Sequence, residues 1–271
     1  MTEQPVCKRA VVQKRGFVRI GDRVEVVYCA EPQMRNPFFR MPRKRLFRTT
    51  GDVRDFPRYG ISEAAHYVRI PATTLYAWTK GQDYRLKSGH EKKFKPLIYL
   101  ADDKNGLLSF YNLVEAHILR FTTEERNVPM QSVRKALDFV QEAFPGPHPL
   151  LTHEFETSGK DVFIIALGRT INATAYGQGV LRELLEQYLK LIPRDAKGLP
   201  MRVFPINSKH LAIDPYFSSG KPIVRDRGIT ASVLWGRSKS GETFAQIAND
   251  YGMTDSEVKE AIEEYEWKAA A

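Results

Sequence analysis

Beyond residue 57 the apolar positions fall into regular blocks, whereas the first 57 residues hold one short alternation. Phe17-Val-Arg-Ile-Gly-Asp-Arg-Val-Glu-Val-Val-Tyr28 partly alternates apolar and polar positions and predicts a two-stranded ribbon around Gly21-Asp22. Order then begins at Arg58. Ser62 suits an N-cap, and Ala64, Ala65 and Val68 predict the inner face of a short helix. Pro71 opens a second helix, Ala72–Lys80, which stops at Gly81. Leu75 and Trp78, three apart, form its inward stripe and leave Thr73, Tyr76, Ala77 and Lys80 outward. Two short helices joined by a three- or four-residue turn make a helix-turn-helix, with a bare helical hairpin as the alternative. Lys95–Leu100 and Gly106–Phe110 then predict strands around the polar turn 102–106, in the position of a wing.

The later blocks lengthen. Helices are predicted from about Tyr111 to Phe121, burying Leu113, Val114, Ile118 and Leu119, and over Met130–Phe144, with Val133, Leu137, Val140 and Phe144 on one face. Pro145-Gly-Pro-His-Pro149 reads as a stiff linker and a domain boundary. Asp161–Leu167 is apolar enough for a buried strand, and Gly179–Ile192 predicts a helix with Leu181, Leu184, Leu185, Tyr188 and Leu191 inside. Met201–Ile206 and Leu211–Ile213 return as strands, which makes a small α/β layer. Three helices close the chain: Thr230–Lys239, Thr243–Tyr251 and Asp255–Trp267. Gly252 ends the second, and Thr254-Asp-Ser-Glu257 is a capping box for the third. The expected fold class is α+β, with a winged helix-turn-helix, a small α/β middle layer and a C-terminal three-helix module. The domain expectation is an N-terminal arm at 1–57, a DNA-binding domain at 58–144, a linking or dimerisation region at 150–212, and a helical domain at 213–271.

Charge sharpens this picture. Residues 1–110 hold 22 Lys and Arg against 11 Asp and Glu, whereas residues 111–271 hold 19 against 21. A basic half beside a near-neutral half suggests that the first half meets a polyanion, although a solvated basic surface has the same composition. The run Met34–Arg48 interleaves six Arg and Lys with Phe38, Phe39 and Phe47, a pattern suited to phosphate contact or to a disordered tail. From Thr254 onward six acidic residues stand against Lys259 and Lys268, so the last helix carries the opposite sign.

Other function classes find less support. The six histidines are scattered without metal-ligand spacing, and no phosphate-cradling glycine loop is present. Asp161 and Asp214 alone do not make a nuclease site, so neither an enzyme nor a cofactor is expected. Cys7 and Cys29 form no disulfide framework, and no stretch approaches the roughly 20 apolar residues of a membrane helix. The expected location is the cytoplasm.

Two segments resemble known families. Tyr59-Gly-Ile-Ser-Glu-Ala-Ala through Ile70-Pro-Ala-Thr-Thr-Leu-Tyr-Ala-Trp78, followed by a wing and Phe110–Leu119, resembles the MerR-type winged helix. It lacks that family's long coiled-coil helix and effector cysteines, so metal or drug sensing is not implied. Ile213-Asp-Pro, Gly220-Lys-Pro-Ile-Val, Arg227-Gly-Ile-Thr, Ser240–Gly252 and Thr254–Ile262 are similar to a small family of antitoxin domains paired with PIN-like toxins. The combination resembles long VapB-type antitoxins. The resemblance implies an antitoxin, acting as a homodimer, that binds operator DNA and a PIN-like ribonuclease; a MerR-like regulator without a toxin is the alternative.

The candidate DNA-binding residues are Thr73, Thr74, Tyr76 and Ala77 on the second helix, with Lys80, Arg85, Lys87, Lys92, Lys93 and Lys95 as phosphate contacts. The candidate toxin-binding residues are Glu257, Glu260, Glu264 and Trp267, on a helix whose acidity equally suits a solvated face. The helix Gly179–Leu191 is a candidate dimer interface or an intramolecular core element.

Overall fold

The computed structural model describes residues 18–20, 23–25, 51–85, 91–123, 128–152, 155–170, 175–205 and 208–266. The chain divides into two compact units, Met1–Lys44 and Arg45–Ala271. In the first, strands β1 (Val18–Ile20) and β2 (Arg23–Glu25) pair antiparallel with Ile20 opposite Arg23, the ribbon expected around Gly21-Asp22. The basic run 34–48 and both cysteines lie outside the described residues.

The second unit opens with β3 (Tyr59–Gly60), which leads directly into helix α1 (Ile61–Val68). The N-cap is therefore Gly60 rather than Ser62, because extended backbone runs up to Ile61 while β3 pairs with β6 (Leu107–Leu108). Helix α1 buries Ala64, Ala65, Tyr67 and Val68 and ends at Arg69 in the left-handed region, φ 62°. Glycine is usual there. Arg69 is held instead by Ile70, which is buried and whose N–H donates to Ala65 O at 3.0 Å. Helix α2 (Ala72–Lys80) follows, with Leu75, Trp78 and Thr79 buried as the stripe required.

The hairpin after α2 is one segment earlier than expected. Strands β4 (Gln82–Arg85) and β5 (Glu91–Phe94) pair antiparallel, whereas Lys95–Leu100 and Gly106–Phe110 do not form a hairpin. The N–H groups of Leu97 and Ile98 both donate to Trp78 O, and Ile98 and Leu100 are buried as an irregular strap. The Asn112 side chain holds that strap: its Nδ2 donates to Tyr99 O at 2.9 Å, and its Oδ1 accepts from Ala101 N and Ser109 N, each at 3.1 Å. Apolar alternation in this stretch therefore reflects core packing without a ladder.

Helices α3 (Phe110–Thr123) and α4 (Met130–Ala143) occupy their expected places, α3 being buried along nearly its whole length. The middle layer differs from expectation. The expected strand Asp161–Leu167 is part of helix α5 (Lys160–Thr170), which packs on α4 and on α6 (Ala175–Lys190). A six-residue apolar run fits either a buried strand or a buried helix, and here helices lie on both sides. The layer is helical rather than α/β. On α6, Leu185, Tyr188 and Leu189 enter the core, while Leu191, expected inside, lies just past the helix end and faces solvent. The core runs without interruption from Tyr59 to Ile213 and includes Leu150 and Leu151, immediately after Pro145–Pro149.

Leu211–Ile213 forms β7, pairs with β8 (Pro222–Val224) and touches Val203 through a single bridge. Helices α7 (Ala231–Lys239), α8 (Phe244–Tyr251) and α9 (Asp255–Tyr265) bury Leu234, Ile247, Ala248, Val258, Ala261 and Ile262 as a second core. Capping boxes at Thr243–Gln246 and Thr254–Glu257 start α8 and α9, and Gly252 ends α8 with positive φ. Small antiparallel sheets among many helices make the architecture α+β. Among the described residues, no helix is long and apolar enough to cross a membrane.

Candidate nucleic-acid interface

The turn from α1 to α2 spans only Arg69, Ile70 and Pro71, so the two helices share one small core and α2 turns its other face outward. Leu75 and Trp78 anchor it. Truncating a buried Trp to Ala costs roughly 3 to 5 kcal/mol, so the orientation of α2 is firmly set. On the free side Pro71, Ala72 and Thr73 are exposed, and Tyr76 is 56% exposed; Thr74 and Ala77 flank them half-buried. The expected outward face is present.

The basic candidates divide into three groups. Lys80 is half-buried and tied to the 102–106 turn, its Nζ 2.8 Å from Asp103 Oδ1 and 2.7 Å from Asp103 O. This ion pair closes α2 against the turn. Arg85, Lys92 and Lys93 stand on the β4–β5 ladder, with Arg85 opposite Glu91, Lys93 opposite Asp83 and Lys92 opposite Tyr84. Lys95 is exposed just past the hairpin, where Arg134 donates to its carbonyl and lies over the Phe94 ring. Lys87 lies outside the described residues. The misplaced wing hid Gln82–Tyr84 and Glu91 as hairpin positions, because neither strand carries an apolar alternation to reveal it.

The C-terminal module sits on the back of α1, away from Thr73 and Tyr76. Among the described residues, four side chains donate across this joint to main-chain carbonyls: Arg58 Nη1 to Pro215 O at 2.8 Å, Tyr59 Oη to Gly220 O at 3.0 Å, Arg69 Nη2 to Glu264 O at 3.2 Å, and His66 Nε2 to Tyr265 O at 2.8 Å. A carbonyl only accepts, so the last bond fixes the proton on His66 Nε2.

The acidic residues of α9 are engaged within the chain. Glu257 closes the capping box, accepting from Thr254 N at 2.7 Å, and these bonds hold its carboxyl below the usual range. Glu260 accepts from Ser256 Oγ at 2.8 Å and lies 2.9 Å from His210 Nε2. Glu264 gathers the 208–210 loop, accepting from Ser208 Oγ, Lys209 N and His210 N at 2.6 to 3.1 Å. Trp267 lies outside the described residues. Formal charge made these groups look free, but their acceptor sites are largely occupied.

Beneath α3 lies a second polar group. Buried His148 stands 3.1 Å from Glu115 Oε2 and 3.4 Å from Asp55 Oδ1. Arg54 joins Asp52 at 2.7 Å and Asp195 at 2.9 Å. These pairs pin residues 52–55 to the helical core. Among the described residues, no three His, Cys, Asp or Glu side chains assemble into a metal-holding group.

Two segments of the chain match known families. Residues 57–137 match a family described as "Putative DNA-binding HTH domain", and residues 211–265 match one described as "Protein of unknown function (DUF433)". Over 228 residues the chain is 26% identical to a Mycobacterium tuberculosis protein named "Putative antitoxin VapB45", covering 77% of this chain and 94% of that one. The crystal structure of Rv2018 from Mycobacterium tuberculosis superposes with a TM-score of 0.56 at 23% identity, over 76% of this chain and 97% of the other, a likeness of fold.

Proposed function

We propose that this chain, similar over most of its length to a protein named as an antitoxin, is the antitoxin of a toxin–antitoxin module and represses its own operon by binding operator DNA. The observation that carries the DNA half is the solvent-facing side of α2, rigidly anchored by Leu75 and Trp78 and followed at once by a basic hairpin. In this reading the module is a MerR-like winged helix-turn-helix. Helix α2 enters a major groove, with Thr73, Thr74, Tyr76 and Ala77 toward base edges, while Arg85, Lys87, Lys92, Lys93 and Lys95 track phosphates. Lys80 reaches a phosphate only by releasing Asp103. A homodimer would match the two-fold symmetry of an inverted-repeat operator, and the protein would act in the cytoplasm.

The second half of the reading is capture of a PIN-like ribonuclease. Glu257, Glu260 and Glu264 have partners within the chain, so in this reading we place the main toxin contact elsewhere on the chain.

A mobility-shift titration on DNA upstream of the chain's own reading frame tests the repressor half. Wild type shifts the DNA, and Thr73→Ala with Tyr76→Ala weakens binding at least tenfold. Equal binding by the double variant, or none by wild type, overturns it. Co-expression with the product of the adjacent reading frame tests the other half: growth arrest caused by that product and relieved by this chain is the expected result.

A further inference from the structure

Three segments of the Arg45–Ala271 unit meet beside β3. Arg54 Nη1 donates to Pro200 O at 3.1 Å, Arg58 Nη1 to Pro215 O at 2.8 Å, and Arg202 Nη2 lies 3.1 Å from Asp214 Oδ2. These same segments expose Phe56 (38%), Met201 (39%), Tyr216 (56%) and Phe217 (52%). Among the described residues, four of the nine exposed large apolar side chains thus lie within two residues of these contacts. Single exposed apolar residues need no explanation, but a gathering of them marks an interaction site.

The turn bearing Tyr216 and Phe217 is fixed. Buried Asp214 accepts the Tyr216 N–H at 2.9 Å and holds Arg202. Ser218, Ser219 and Gly220 follow with φ of 46°, 55° and 74°, two of them non-glycine residues in the left-handed region. Such strain persists only where the surroundings over-determine it, and it clusters at functional sites. Here the surroundings are the Tyr59 hydroxyl on Gly220 O and the Arg58 guanidinium on Pro215 O. An aromatic pair set in advance loses little freedom when a partner covers it.

Charge selects the occupant. The carboxylates of Asp52 and Asp195 meet Arg54, Asp55 meets His148, and Asp214 meets Arg202. Half-buried Arg58, whose Nη1 meets the Pro215 carbonyl, and the exposed Lys221 add positive charge to the rim. A second copy of the patch would set these cations against themselves. A nucleic-acid strand would find two cations where phosphate tracking uses a row of them. Tyr, Phe, Met and Arg are the residue types enriched in protein–protein interface cores. We infer that Phe56, Met201, Tyr216 and Phe217 form a docking platform for a protein with an apolar recess and an acidic rim. Under the antitoxin reading, on which this assignment rests, that protein is the toxin.

The test titrates the purified full chain with the product of the adjacent reading frame. Tyr216→Ser with Phe217→Ser weakens binding by about thirtyfold or more, the loss typical of interface anchors, and leaves the melting temperature unchanged. Glu263→Gln on α9 binds as wild type. If wild type fails to bind, the antitoxin reading falls and takes the platform with it. If wild type and the double variant bind equally, or Glu263→Gln alone loses binding, the platform is wrong while the reading stands. A fall in solution mass of the double variant, measured without partner, would reassign the patch to self-association. Loss of affinity for a single-stranded oligonucleotide with toxin binding intact would reassign it to nucleic acid.

Discussion

The imidazole of His148 stands between two carboxylates, Nδ1 at 3.1 Å from Glu115 Oε2 and Nε2 at 3.4 Å from Asp55 Oδ1. Burial alone would lower its pKa, but the Glu115 and Asp55 carboxylates outweigh burial and push it up to about 9. The folded value thus lies above the ordinary 6.5, so the folded chain binds a proton more tightly than the unfolded chain. The stabilisation is complete below about pH 6.5 and is lost as pH rises through 9, with an upper bound of about 3 kcal/mol from the size of the shift. Melting temperature should fall across this alkaline window. His148→Gln should be less stable at pH 6 and show a flatter alkaline limb; an equally steep limb would remove His148 as its cause.

His117 carries the opposite sign. It is fully buried, neither ring nitrogen has a hydrogen-bond partner among the described residues, and burial, reinforced by Arg120 and Arg69, pulls its pKa down to about 3. A depressed folded value means stability is present above about pH 6.5 and declines as pH falls toward 3. His117→Leu should flatten that acid limb and raise stability near neutrality by about 1 kcal/mol, because an unsatisfied buried polar group is replaced by an apolar one of similar size. Thermal melts at pH 4, 5 and 7 decide it; a variant less stable at every pH would mean that the ring serves the packing.

Asn112 is the clamp of the strap beneath α2. Asn112→Ala leaves the Ala101 and Ser109 N–H groups and the Tyr99 carbonyl without that partner, and should cost about 2 to 4 kcal/mol in denaturant unfolding. A loss below about 1 kcal/mol would show that water replaces the amide.

Gly220→Ala places a Cβ 2.0 Å from Tyr59 Oη in a backbone of φ +74°. It should destabilise by at least about 2 kcal/mol, more than the conformational term alone. Tyr59→Phe combined with it should recover part of the loss, since the hydroxyl is the nearest obstacle. A double variant whose losses simply add would place the damage in the backbone alone.

On the proposed DNA face, Lys92→Ala should lower the slope of log affinity against log salt by about one. An unchanged slope across a salt series would remove Lys92 from the phosphate set.

Much of this was legible in the sequence. Helices α3, α4 and α7 to α9 announce themselves through repeated apolar stripes, and α8 and α9 also through Gly252 and the Thr254–Glu257 cap. The outward face at Thr73 and Tyr76 followed from the spacing of Leu75 and Trp78 alone. Three features escaped. The β4–β5 hairpin is polar on both strands, so periodicity is silent there, while Ile98 and Leu100 imitate a strand because the core draws them in. The apolar run in α5 fits two structures equally well, and only neighbouring helices choose between them. On α9, sequence counts carboxylates but not the donors they hold, and Ser208, Lys209 and His210 lie more than fifty residues from Glu264.

The joint behind α1 has a particular economy. Among the described residues, four of its bonds end on a peptide oxygen, an atom that no substitution deletes so long as the chain keeps its path. The outer faces of the C-terminal module are accordingly open to change: new side chains there alter whom the module meets while its seat holds. In the antitoxin reading proposed above, the face of α2 and the outer faces of the C-terminal module can therefore vary separately.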